Sequence, residues 1–274
     1  MSNQSIRVEP IAAALGAEVS GVDLSKPLPD EALQSITDAL LKHQVIFFRD
    51  QHIDAQQHKD FAARFGELHV HPVLPSLHAQ GHPEIVVLES NEQMPYVAEH
   101  WHSDVTFERR PPMGSVLRAV VVPDAGGDTM WASMYAAYDA LSSTMQRLLG
   151  ELRAIHDGGA FQAVATEDQR RALAKDEKAV HPVIRRHPVT GRKGIYVNTS
   201  FTKRIDGMRR KESDALLQFL YAHVTSPEFT CRFRWRADSI AMWDNRCTQH
   251  KVITDNVRAH RRMERATICG DAPF

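Results

Sequence analysis

Two metal-ligand residue types at His102 and Asp104, with His250 standing 148 residues later, set the hardest condition on this chain. If all three serve one ion, the fold must close that long separation. Two imidazoles and one carboxylate on one face of a metal leave the opposite positions open. That geometry suits non-haem Fe(II) enzymes, which bind a co-substrate and O2 together.

The triplet alone is a weak signal. With 15 His and 34 Asp+Glu in 274 residues, about two His-x-Asp/Glu triplets arise by chance, and the chain has four: His52/Asp54, His58/Asp60, His82/Glu84 and His102/Asp104. Residues i and i+2 share a face on a strand and diverge on a helix. His58 and Asp60 lie in a helical pattern, and Asp54 reads as the N-cap of that helix. His82-Pro83-Glu84 opens a strand and stays a rival. His102-Ser103-Asp104 runs into Val105, Thr106 and Phe107, all strand formers, so a strand is expected there with both side chains converging.

Composition narrows the function classes. A net charge of −1 and a pI near 7 give no polyelectrolyte signature, so nucleic acid is not the expected partner. No apolar run approaches the roughly 18 residues needed to span a bilayer. Ile11 to Ala17 is apolar but follows Glu9 without a basic region, unlike a signal peptide. Cys231, Cys247 and Cys269 are unclustered and odd in number, as in a reducing compartment. A cytoplasmic protein of one domain, 1–274, is the expectation, without repeats or a linker.

Along the chain, a helix is expected from Pro29-Asp30, with Asp30 as N-cap and Leu33, Ile36 and Leu40 on one stripe. A second runs from Asp54 to Phe65, a third from Ser133 to Leu152 and a fourth from Glu212 to Val224. Strands are expected at Val45–Phe48, Glu84–Glu89, Ser115–Val122, Asp128–Trp131, Ile240–Trp243, Cys247–Val252 and Met263–Cys269, with a hairpin over 182–198. Phe229, Cys231, Phe233 and Trp235 alternate with polar residues, the mark of a half-buried strand. His69 and His71 could bind zinc on a strand or be ordinary hydrogen-bonded imidazoles. The polar stretches 90–100 and 157–180 read as lid, mobile cover or plain surface.

Arg261 and Arg265 fall on one face of the last strand with Met263. Two inward arginines are costly unless anions meet them. One reading is a salt bridge plus an exposed arginine; the other is two clamps for carboxylates or sulfonates, since guanidinium presents a fork of donors.

Trp101-His102-Ser103-Asp104-Val105-Thr106-Phe107, Gly126-Gly127-Asp128-Thr129, Trp243-Asp244-Asn245 with Thr248-Gln249-His250, and Arg261…Arg265-Ala266-Thr267 together resemble the taurine dioxygenase and 2,4-dichlorophenoxyacetate dioxygenase family. The likeness covers nearly the whole chain. It implies a mainly β fold with surrounding helices, a double-stranded β-helix (jelly roll, cupin-like). It also implies Fe(II) as cofactor, 2-oxoglutarate and O2 as co-substrates, and a homo-oligomer, dimer or tetramer. By resemblance His102, Asp104 and His250 are the metal ligands, and Thr129 and Arg261 hold the distal carboxylate of 2-oxoglutarate. Arg265 grips the anion of a small organic substrate, with His71, Val105, Phe201 and Phe161 around it. Leu74 and Ala98 stand where taurine dioxygenase has a tyrosine and an asparagine that help fix taurine. Their loss makes the pocket more apolar and argues against taurine itself. Gly191 to Asn198 and the helix before Phe229 look more like the phenoxypropionate dioxygenases. The reaction implied is hydroxylation of a C–H in an alkylsulfonate or aryloxyalkanoate, giving succinate and CO2, with release of sulfite or a phenol. An alkylsulfatase or a biosynthetic hydroxylase or desaturase on the same scaffold is the alternative. More remote are a zinc hydrolase built on His69/His71 or His100/His102, and a jelly-roll binding module without catalysis.

Overall fold

A computed structural model of the protein describes residues 5–71, 74, 76–94, 99–159, 166–167 and 178–274. It is mostly β-sheet with helices packed outside. The largest sheet is centred on β3 (Val45–Phe48), β7 (Gly114–Val121), β15 (Ile240–Asp244) and β17 (Arg261–Ile268), with β6 (His82–Ser90) beyond β17. Apart from the parallel pair that joins β2 (Ala17–Ser20) to β3, its pairings are antiparallel. A smaller sheet has β8 (Thr129–Ser133) between β14 (Thr230–Phe233) and β16 (Thr248–Val252).

Side-chain alternation along these strands builds two cores. Phe47, Leu117, Ala119, Ala241, Trp243 and Met263 of the large sheet meet Trp131, Cys231 and Phe233 of the small one. Phe47 stacks on Phe233 with centroids 4.0 Å apart, and its edge meets Trp131 at 5.3 Å. The intervening residues Ile46, Phe48, Val116, Ile240, Met242, Ala266 and Ile268 point the other way. There they receive α1 (Asp30–His43) and α2 (Ala55–Ala63) through Ile36, Leu40, Phe61 and Ala62. Both faces of the central strands are therefore buried, and period-two alternation sends successive residues to different cores.

Helix boundaries depart most from expectation at the start of α1 and over 133–152. Pro29 holds the N-cap position of α1, and Asp30 is its first residue, where a carboxylate favours the positive end of the helix. The single helix expected over Ser133–Leu152 is two, α3 (Met134–Asp139) and α4 (Ser143–Gly150). Ser133 accepts from the Ala136 N–H and Ser142 from the Met145 N–H, so a second serine starts a new helix within the run. Asp54 caps α2 as expected, in a reciprocal box with Gln57. The last helix, α5, spans Arg210–Val224. Strand β9 (Arg153–Asp157) was not expected; it pairs with β10 (Lys178–Pro182) and β13 (Thr202–Ile205). The hairpin is found as β11 (Ile184–Arg186) against β12 (Lys193–Ile195).

His58 shows the cost of the sheet–helix seam. It is fully buried on α2, and its Nε2–H donates to the Val116 carbonyl at 3.0 Å. Burial pushes the imidazole down to about 4. Between pH 6.5 and 4 the unfolded chain thus takes up a proton that the folded chain refuses. Stability falls as pH drops through that window, by about 3 kcal/mol for this group. His58→Gln keeps a donor for the same carbonyl, and urea unfolding from pH 6.5 to 4.5 should show a shallower loss of stability than wild type. An unchanged slope would remove His58 from the acid sensitivity.

Candidate metal centre

His102, Asp104 and His250 each offer a ligand atom, and the three atoms lie within 4.8 Å of one another. Among the described residues this is the one group of three or more such side chains placed to hold a metal ion. The separation in sequence is closed by backbone. His102 and His250 form an isolated antiparallel bridge, with N–H···O bonds of 3.0 and 2.7 Å exchanged in both directions. Ser103 Oγ adds a 2.6 Å bond to the Thr248 carbonyl.

The expected strand over 102–107 is not formed. After the bridge at His102 the chain turns through 104–107, and Val105 takes a φ of 52°. A β-branched residue in the left-handed region is strained, by about 1–3 kcal/mol. Convergence of His102 and Asp104 therefore comes from a turn. That turn is held from behind: the His181 Nε2–H faces the carbonyls of Thr106 and Glu108 at 2.9 and 3.0 Å. Thr106 Oγ1 also meets Asn198 Nδ2 at 3.1 Å and His156 Nδ1 at 3.0 Å. Burial pushes His156 down to about 3 and His181 to about 4. Both are neutral props at pH 7.

Asp104 is buried, and every contact it makes favours the anion. Ser115 Oγ donates to Oδ2 at 3.0 Å, Asn245 Nδ2 to Oδ2 at 3.2 Å, and Arg265 Nη1 to Oδ1 at 2.6 Å. Burial alone would raise the carboxyl pKa, but the Arg265 guanidinium, with the flanking imidazoles and the Ser115 bond, outweighs it. The carboxyl is held well below the usual carboxylate range. His102 and His250 are shifted down, first by burial, so both stay neutral. The His102 Nδ1–H donates to the His100 carbonyl at 2.8 Å, which leaves Nε2 bare as a ligand. His250 packs against Trp243, ring centroids 4.7 Å apart, with its Nε2 3.9 Å from Asp104 Oδ1. Neutral imidazoles beside an anionic carboxylate are the donor set that fits a facial Fe(II) site.

The other expected residues fall around this triad to different degrees. Arg261, Met263 and Arg265 are all buried, as one face of β17 requires. Arg261 lies over the glycine turn, because a Cβ on Gly127 would stand 3.3 Å from Arg261 Cδ. Thr129 Oγ1 accepts from Trp235 Nε1 at 2.9 Å and keeps its own proton for a ligand. His71 is buried; its Nδ1 accepts from the Leu74 N–H at 3.1 Å, and burial, then the Arg265 charge, push it down to about 3. Phe201 meets His102 edge-on at 6.3 Å and Phe107 at 5.3 Å, with Val105 buried beside them. Ala98 and Phe161 lie outside the described residues, as do parts of 90–100 and 157–180.

Among the described residues the rival triplets and zinc pairs gather no third metal ligand. His58 is buried against β7 while Asp60 is exposed and bonds Gln56. His69 ends the two-residue strand β4 (Leu68–His69) and faces Glu108 at 3.3 Å, so no strand presents His69 and His71 together. The His100 side chain is 71% exposed. Sequence reading missed Ser115, Asn245, His156 and His181, although Asn245 sits inside a noted motif.

The sequence model of the taurine catabolism dioxygenase TauD, TfdA family matches residues 7–267, and the chain belongs to that family. It is 37% identical to an alpha-ketoglutarate-dependent sulfate ester dioxygenase of Pseudomonas putida, over 97% of this chain and 90% of that one. It is 36% identical to an alkylsulfatase of Acinetobacter baylyi, over 98% and 86%. A crystal structure of a taurine dioxygenase from Burkholderia xenovorans superimposes with a TM-score of 0.85 at 39% identity, covering 98% of this chain and 93% of that one.

Asn245 orients Asp104 through a side chain that also accepts from Trp243 Nε1 at 2.9 Å. Removing such an outer partner typically weakens metal binding about 10–100-fold. Asn245→Ala should lower Mn(II) affinity by that order in a titration followed by electron paramagnetic resonance. Wild-type affinity in the variant would deny Asn245 an orienting role.

Proposed function

We propose that this protein is an Fe(II)- and 2-oxoglutarate-dependent dioxygenase that hydroxylates a C–H of a small anionic organic substrate, with His102, Asp104 and His250 as its metal ligands. The observation that carries this is the convergence of two neutral imidazoles and one anionic carboxylate, with Arg265 at the same carboxylate. When bound, Fe(II) with 2-oxoglutarate supplies the oxidising chemistry: decarboxylation to succinate and CO2 coupled to oxygenation of the substrate. The protein's own part is positioning. Arg261 and the Thr129 hydroxyl take the distal carboxylate of 2-oxoglutarate, a bidentate fork plus one donor. Arg265 takes the substrate anion, with neutral His71 as a second polar contact. Val105, Phe201 and Leu74 supply apolar walls. These walls exclude water and strengthen each ion pair inside.

The substrates proposed are alkylsulfonates and aryloxyalkanoates, whose hydroxylated products collapse to release sulfite or a phenol. Alkyl sulfate esters are a second reading, supported by 37% identity to the sulfate ester enzyme of Pseudomonas putida. Leu74, in place of a polar headgroup contact, fits either better than taurine. The two β-sheets are read as a double-stranded β-helix, supported by the common core between them. One dioxygenase domain is supported by the family match over 7–267. A homo-oligomer and a cytoplasmic location complete the reading. No helix among the described residues is long and apolar enough to cross a membrane.

The test is succinate formation with Fe(II), 2-oxoglutarate and O2 over a panel of taurine, longer alkylsulfonates, alkyl sulfates and aryloxyalkanoates. Succinate coupled to one of the last three classes, and lost in His102→Ala, is expected. Arg261→Ala should raise KM for 2-oxoglutarate at least about tenfold while leaving the metal bound. Succinate formation that persists in His102→Ala would contradict the assignment.

A further inference from the structure

Asp104 presents its two oxygens to different partners. Oδ2 accepts from both Ser115 Oγ and Asn245 Nδ2, which fills its in-plane directions. Oδ1 is the oxygen 3.9 Å from His250 Nε2, and it already takes a 2.6 Å bond from Arg265 Nη1. A metal held by His102, His250 and Asp104 must therefore use Oδ1, the atom that Arg265 holds. Arg265 is 6% exposed, and its Nε is buried without a bond to any described residue. That donor is available to an anion.

The charge balance of this cluster is close to neutral without a metal. Arg265 and Asp104 carry opposite charges in contact at 2.6 Å, and they cancel. Adding a divalent cation at Oδ1 leaves an excess of positive charge beside a buried guanidinium, an arrangement that costs free energy in a dry site. An anion on the remaining donors of Arg265 offsets that excess and competes with Asp104 for the guanidinium, which returns electron density at Oδ1 to the metal.

We propose that Arg265 is a positioning residue for the metal as well as an anion contact: by sharing Asp104 Oδ1 with the metal, it links anion binding and metal binding so that each tightens the other. This rests on the proposed metal ligands and on the substrate-anion role of Arg265, and it does not involve 2-oxoglutarate. Linkage requires the two effects to be the same factor, because the coupling free energy is shared.

The experiment titrates Mn(II) into the full-length protein by electron paramagnetic resonance, without 2-oxoglutarate, at constant ionic strength in chloride. It is run alone, with 1-propanesulfonate and with the neutral 1-propanesulfonamide. Expected is Mn(II) binding about tenfold tighter with the sulfonate, unchanged with the sulfonamide, and an equal tightening of sulfonate binding by Mn(II). In Arg265→Gln the sulfonate effect should disappear while Mn(II) still binds. Mn(II) affinity indifferent to sulfonate in the wild type would overturn the linkage and leave the metal site standing. Persistence of the sulfonate effect in Arg265→Gln would overturn the role of Arg265, the anion then acting on the metal directly. If that variant does not fold, the charge requirement in the wild type decides the matter, and equal tightening by the sulfonate and the neutral sulfonamide refutes the proposal. Equal Mn(II) binding by wild type and His102→Ala would instead overturn the metal site, and the linkage with it.

Discussion

A buried anion at Asp104 is the constraint on which much of the centre depends. An unpaired carboxylate in a protein interior costs several kcal/mol, so its surroundings must supply donors or cations on every side. The fold brings them from three regions far apart in sequence: Ser115 from β7, Asn245 from the turn after β15, and Arg265 from β17. These strands are neighbours in one sheet, in the order β15, β7, β17. The alternation that puts Ala241, Trp243, Leu117 and Met263 into the core between the sheets also turns Ser115 and Arg265 toward Asp104. Polar satisfaction and apolar packing are thus two outcomes of one register.

A second buried acid stabilises the neighbouring turn. Asp244 accepts from Arg246 through both oxygens, at 2.9 and 2.7 Å, and from His187 Nε2 at 2.9 Å. Burial alone would raise its pKa, yet Arg246 and His187 hold it well below the usual range. His187 Nδ1 accepts the N–H groups of Val189 and Thr190, which fixes its proton on Nε2. The hairpin over 182–198 is thereby pinned to the segment that carries Asn245 and leads into His250. With His156 and His181 behind Thr106, this makes a rigid backing for a site whose own turn is strained at Val105. Such strain persists only where the surroundings over-determine the conformation.

Much of this was legible in the sequence, because period-two patterns and caps are local signals. The strand found over Thr230–Phe233, the Asp54 cap and the inward face of Arg261, Met263 and Arg265 required only side-chain alternation or hydrogen-bond chemistry. The triad was legible as residue types, but the reason it converges was not. Strand formers at Val105, Thr106 and Phe107 pointed to a strand, and tertiary bonds from His181, Asn198 and His156 impose a turn instead. Ser115 and Asn245 carry no local signature of a role, since each acquires it only when β7 and β15 meet Asp104. The break between α3 and α4 was visible in Ser142, whose hydroxyl competes with the helix, but the apolar run across it masked the signal.

The most direct measurement is a crystal structure of the protein soaked with Mn(II), with anomalous data to locate the ion. One strong peak is expected, bounded by His102, Asp104 and His250 and reached through Asp104 Oδ1, with Ser115 and Asn245 still on Oδ2. A peak between His69 and Glu108, or an ion held by Asp104 through Oδ2, would contradict it.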